Sequence, residues 1–101
     1  MLFHAQALVR TSEPYHYAEH LASDLGLEFE TEWSAGAGSI KLPDGLCDMH
    51  AWPEGLRLDA FAEAHEGLVR VEDLVKHHLE RVRNGGTPKV EWVLRPMSSL
   101  S

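Results

Sequence analysis

A single cysteine, Cys47, stands in the sequence, so the chain can close no disulfide on itself. A lone thiol fits a reducing cytoplasm and argues against a secreted, bridge-stabilised scaffold. No apolar run approaches the ~20 residues that a membrane-spanning helix needs, and residues 1–10 are too short and polar a stretch for a signal peptide. Basic residues are scarce. Nine Lys and Arg stand against sixteen Asp and Glu, a formal charge of −7. That sign repels nucleic-acid phosphates and anionic membranes alike, so neither is expected as a partner. There is no G-x-S-x-G, no P-loop, no dinucleotide fingerprint and no HExxH. No catalytic residue and no cofactor is assigned on these patterns, and the chain reads as non-enzymatic. Internal repeats and low-complexity segments are absent as well.

What is present describes one domain. One hundred and one residues, 44% hydrophobic and 25% charged, suffice for one core and not for two. We expect a single domain over residues 1–96 and a disordered tail over 97–101. Its clearest element is a helix over residues 68–83. Leu68, Val71, Val75, Leu79 and Val82 recur at spacings of three and four and share one side. Asn84-Gly85-Gly86 and then Pro88 supply the stop. Gly67 is a poor interior helix residue, which leaves the start of this helix open.

Before it, the period is two. Phe3, Ala5, Ala7 and Val9 alternate with more polar neighbours, predicting a first strand over 2–10. Thr11 and Ser12 can cap a helix that carries Pro14 in its first turn and stops at Gly26, with Ala18, Leu21, Ala22 and Leu25 buried. Residues 27–33 alternate Leu27, Phe29 and Thr31 against Glu28, Glu30 and Glu32, a strand with one wet face. A turn within 34–38 leads to a strand over 39–42. Pro43-Asp44-Gly45 and Pro53-Glu54-Gly55 read as two turns of one type, with glycine taking positive φ. Between and after them, 46–52 and 56–61 alternate again, and a last strand follows at 89–95.

The order β-α-β-β-β-β-α-β implies an α+β fold of two layers. An antiparallel sheet carries two helices packed on one face, an order that looks like the TATA-binding-protein topology. That analogy carries no function.

Gly45-Leu46-Cys47, Val71-Glu72-Asp73-Leu74-Val75, His78-Leu79-Glu80-Arg81 and Val90-Glu91-Trp92 resemble a bacterial family known as domain of unknown function 2218. Leu27-Glu28-Phe29 and His20 fit as well. The resemblance implies a stand-alone bacterial protein, with a pointer to iron and siderophore metabolism, and it brings no catalytic residue.

Three candidate sites follow from the residues. His78, at the edge of the apolar stripe, is expected as a satisfied, uncharged core histidine. The alternative is a ligand pocket between helix and sheet, walled by Cys47, Met49 and Trp92, that would take a small molecule. Trp52, Phe61 and His50 fall on the sheet face that no helix covers and make a partner surface, for which a symmetric dimer is the first expectation. Seven histidines raise the question of metal. His16 and His20, four apart on one helix, can reach one ion, although two ligands do not make a stable site. Cys47 and His50 form a C-x-x-H whose members point to opposite faces of a strand, so Cys47 is expected as a small buried hydrophobe.

Overall fold

In the computed structural model, residues 2–80 and 90–95 are described. Over these the elements run β1 (Phe3–Arg10), α1 (Pro14–Leu25), β2 (Glu30–Ser34), β3 (Ala37–Leu42), β4 (Gly45–Trp52), β5 (Gly55–Ala62), α2 (His65–Glu80) and β6 (Trp92–Arg95). The six strands form one antiparallel sheet in the order β2-β3-β4-β5-β1-β6. Both helices lie on one face, α1 over β2, β4 and β5, and α2 over β1, β4 and β5. This is the two-layer α+β arrangement implied by the alternation. The proposed helix end at Val82–Arg83, its Asn-Gly-Gly stop and the tail lie outside the described residues.

The core sits between the layers. Ala5, Ala7 and Val9 of β1, Cys47, Met49 and Ala51 of β4, and Leu56, Leu58, Ala60 and Ala62 of β5 point toward the helices and are buried. Leu21 and Leu25 of α1 and Leu68, Val71, Val75 and Leu79 of α2 meet them. Alternation turns the remaining strand residues to the other face, on which no helix packs among the described residues.

Several local expectations change. Helix α1 does not give way to a strand at Gly26. Gly26 keeps right-handed geometry, and the Leu25 carbonyl accepts both Glu28 N–H (3.1 Å) and Phe29 N–H (2.9 Å). The turn thus persists to Phe29, which packs against the core, while Leu27 is 83% exposed instead of facing inward. At the start of α1 no side chain caps the helix. Thr11 Oγ1 instead accepts Glu13 N–H, at 3.1 Å, just before the first turn. The β2–β3 hairpin closes with two residues, Ala35 and Gly36, both at positive φ (54° and 83°), the twist that short hairpins favour.

The two Pro-acid-Gly turns work differently from expectation. Among the described residues no positive φ occurs at Gly45 or Gly55. Each glycine is instead the first residue of the strand after the turn, where a neighbour comes close. A Cβ on Gly45 would stand 2.0 Å from the Phe61 carbonyl oxygen, and one on Gly55 would stand 2.9 Å from the Val9 carbonyl oxygen. Gly67 is explained by similar crowding. It lies inside α2, and a Cβ there would stand 3.0 Å from the Asp44 carbonyl oxygen, so the first turn of α2 seats against the β3–β4 turn. Arg70 donates to Asp44 across the same junction, at 3.2 Å.

The two helices are also joined by a polar contact. His78 of α2 is hydrogen-bonded through Nδ1 to the Asp24 carboxylate of α1. His78 therefore has the hydrogen-bond partner that a satisfied histidine requires. Its site is half-buried, and a carboxylate answers it.

Two outcomes follow. Gly45→Ala must push β4 away from backbone on β5, and urea unfolding should show a loss of about 1–3 kcal/mol, larger than that of Gly55→Ala. In a double-mutant cycle, Asp24→Asn and His78→Gln should each destabilise the fold, and the pair should show a coupling of about 1 kcal/mol in thermal or urea unfolding.

Candidate functional site

The uncovered face of the sheet holds the most organised polar group among the described residues. At its centre is Asp59, in the middle of β5 and only 9% exposed. A carboxylate so placed is stable only if its oxygens are answered. His4 Nε2 donates to Oδ1 at 2.8 Å, Gln6 Nε2 donates to the same oxygen at 3.0 Å, and Arg57 Nε donates to Oδ2 at 3.1 Å. The register explains the gathering. Gln6 of β1 lies directly opposite Asp59, His4 precedes Gln6 by one full pleat, and Arg57 precedes Asp59 by the same interval.

Asp48 of β4 faces Asp59 from the other side. Like charges directly opposite in a ladder oppose pairing. The donors all turn to Asp59, and no hydrogen bond or ion pair to the Asp48 carboxylate occurs among the described residues. Burial, and next the charge of Asp59, push the Asp48 carboxyl above its ordinary range, while Arg57 and His4 act in the opposite direction. Behind Asp48, Cys47 points into the core. Burial above all, and then Asp48 and Asp59, push its thiol far up, so it is neither a nucleophile nor a thiolate ligand near neutral pH.

Apolar groups flank this centre at both ends of the β4–β5 pair. At one end Phe61 stacks on His4, with ring centroids 4.4 Å apart and planes 10° from parallel, and Leu46 lies opposite Phe61. Here an open groove of about 620 Å³ is bounded by the Pro43-Asp44 turn, Leu46, Asp48 and Phe61. At the other end His50 and Trp52 sit together, 6.3 Å between rings. A recess of about 450 Å³ there is lined by Leu8, Arg10, Trp52, Glu54 and Gly55. Trp52, His50 and Phe61 thus share a face without forming one patch. Six residues along β4 separate the two ends, roughly 20 Å at about 3.3 Å per residue.

The pocket of His78, Cys47, Met49 and Trp92 is not assembled. Cys47 and Met49 are 0% and 2% exposed and packed in the core. His78 turns to Asp24, and Trp92 lies on β6, separated from β4 by β5 and β1. The Trp92 indole N–H is buried and has no partner among the described residues. His16 and His20 lie on the exposed side of α1, with His16 edge-on to Tyr17. No group of three or more His, Cys, Asp or Glu residues that could hold a metal ion occurs among the described residues.

Sequence reasoning did not single out His4, Gln6, Asp48, Arg57 or Asp59. Each sits at an outward position where a polar residue reads as solvated surface. The available signal was two pairs at strand spacing, His4 with Gln6 and Arg57 with Asp59. The His4–Asp59 pair resembles the orienting half of a nucleophilic triad, but no serine, threonine or cysteine is hydrogen-bonded to His4 among the described residues.

The fold and this face define a small two-layer α+β domain with an open, polar sheet surface. The chain belongs to a family of uncharacterized proteins conserved in bacteria, DUF2218, which it matches over residues 6–93. It is similar to PA4090 from Pseudomonas aeruginosa, solved by NMR, with a TM-score of 0.74 and 25% identity over 90% of this chain and 95% of that one. Among curated proteins no match is found.

The raised Asp48 carboxyl gives a signed prediction. The folded state holds this proton more tightly than the unfolded chain, so ionising Asp48 works against folding. Its contribution to stability falls as pH rises from the unfolded carboxyl value, near ~3.9, through the raised folded one. Asp48→Asn should therefore raise the melting temperature at neutral pH. That advantage should vanish as pH falls toward about 4. Melting curves of both proteins across this range are the check.

Proposed function

We propose that this chain is a small, non-enzymatic binding module of the bacterial cytoplasm whose working surface is the helix-free face of its sheet, and that it pairs with a second copy of itself there. The observation that carries the reading is the Trp52 end of that face. Leu8, 58% exposed, lines one recess with the half-buried Trp52. Arg10 and Glu54 line the same recess. In a two-fold contact, Arg10 of one copy can meet Glu54 of the other, so one patch supplies both signs of charge and an apolar centre. Such self-complementarity is what an isologous dimer requires. The formal charge of −7 weighs against nucleic acid as the partner. The metal and iron readings gain no support, since His16 and His20 have no third ligand group beside them among the described residues.

Sedimentation equilibrium at micromolar concentration tests the pairing. The native chain should show a monomer–dimer equilibrium. Leu8→Glu should shift it at least about tenfold toward monomer, because a carboxylate in the apolar centre loses its hydration, and Trp52→Ala should act in the same direction. A native chain that is monomeric throughout, unchanged by either substitution, removes the self-association reading.

A further inference from the structure

The groove at the Phe61 end is a different kind of place from the Trp52 recess. Its volume of about 620 Å³ lies within the range of about 300–1,000 Å³ usual for small-molecule sites. Leu42, Leu46, Phe61 and Ala62 give it apolar walls, and every ionisable side chain that lines it is acidic: Asp44, Asp48 and Glu63. These three differ in state. Asp44 is answered by Arg70 at 3.2 Å, and Glu63 is exposed to water. Asp48 is half-buried, opposite a second carboxylate, and without a hydrogen-bond or ion-pair partner among the described residues.

These features select an occupant by its chemistry. An anion would meet three like charges. A neutral apolar body would cover Asp48 further and leave its carboxylate less hydrated with nothing in return. A bare metal ion has no converging set of three ligands among the described residues. A cation attached to an apolar body meets both demands. Its charge answers Asp48 and offsets the repulsion from Asp59, and its body covers the apolar walls. Phe61 adds the attraction of an aromatic ring for a cation nearby.

We propose that this groove binds a small organic cation, a protonated amine carried on an aromatic or aliphatic body, with the ammonium against Asp48 and the body against Leu46 and Phe61. The raised carboxyl of Asp48 is consistent with this, since burial and Asp59 already disfavour its ionised form and a bound cation would relieve both. The groove lies at the opposite end of the face from Leu8 and Trp52. Occupancy is therefore independent of self-association.

The test is a titration of the full chain at neutral pH, followed by nitrogen–proton correlation NMR, with phenethylamine as probe and phenylpropionate as the anion of similar shape. Phenethylamine should give saturable shifts centred on Leu46, Asp48 and Phe61. Phenylpropionate should bind at least about fivefold more weakly, and Asp48→Asn, with its dispersed spectrum retained, should weaken the amine by at least about fivefold, roughly 1 kcal/mol. Leu8→Glu, which addresses self-association, should leave amine binding unchanged. The proposal is overturned by any of four results: no saturation by about 10 mM amine, equal binding of the anion, undiminished binding to Asp48→Asn, or shifts centred on the Trp52 end. Loss of amine binding in Leu8→Glu would also overturn it, because the groove would then depend on the dimer.

Discussion

Two helices have to shield a six-stranded sheet, and they shield only one face of it. Every strand that reaches the centre must therefore send its apolar residues to the same side. Alanine is frequent there, at Ala5, Ala7, Ala51, Ala60 and Ala62, all nearly inaccessible. Short side chains on the sheet let the long ones of the helices, Leu21, Leu25, Leu68 and Leu79, fill the gap between layers. The same demand governs topology. Strand β1 lies between β5 and β6, so the first strand of the chain is completed on one side only by the last. No local hairpin can form this part of the sheet, and its pairing must wait for contacts far apart in sequence.

A face without helices must solve burial by other means. Asp59 is nearly inaccessible although, among the described residues, no helix packs over the sheet there. Its cover is lateral: His4, Gln6 and Arg57 converge on it from two strands, and His4 is itself held by stacking on Phe61. This fixes donors around one carboxylate and leaves the carboxylate across the ladder, Asp48, without any. Two adjacent acids in one environment are thereby made unequal, one satisfied and one strained by desolvation and by its neighbour's charge. A protein selected for stability alone would gain by replacing Asp48.

The layer architecture was legible in the sequence because it rests on periodicity. The strands of the meander, the buried stripes of both helices and the opposed directions of Cys47 and His50 all follow from spacing, and the structure has them so. Leu27 was misplaced because the alternation of 27–33 is also compatible with one further helical turn, and only the two hydrogen bonds to the Leu25 carbonyl choose between them. His78 was read from its own helix alone. Its partner Asp24 lies on the other helix, fifty-four positions away. The Asp59 cluster was invisible for the same reason. Its donors come from two strands whose pairing joins residues more than fifty apart, and nothing in either strand marks its polar residues as anything but wet.

The two turns carry a meaning that turn chemistry alone did not supply. Pro43-Asp44-Gly45 and Pro53-Glu54-Gly55 repeat one pattern at opposite ends of β4. In each, proline and the acid form the loop, and glycine is present because a Cβ would collide, with Phe61 backbone in the first case and with Val9 backbone beside the Trp52 ring in the second. Each glycine also lines one of the two recesses, next to an aromatic side chain and the acid of its own turn. The device that lets the strands close tightly thus opens a hollow at each end of the face. What differs is the residue added to the repeat. Asp48, unanswered, makes one hollow acidic, whereas Arg10 balances Glu54 in the other. One hollow is therefore acidic and the other carries both signs of charge, and the saturated cluster around Asp59 lies between them.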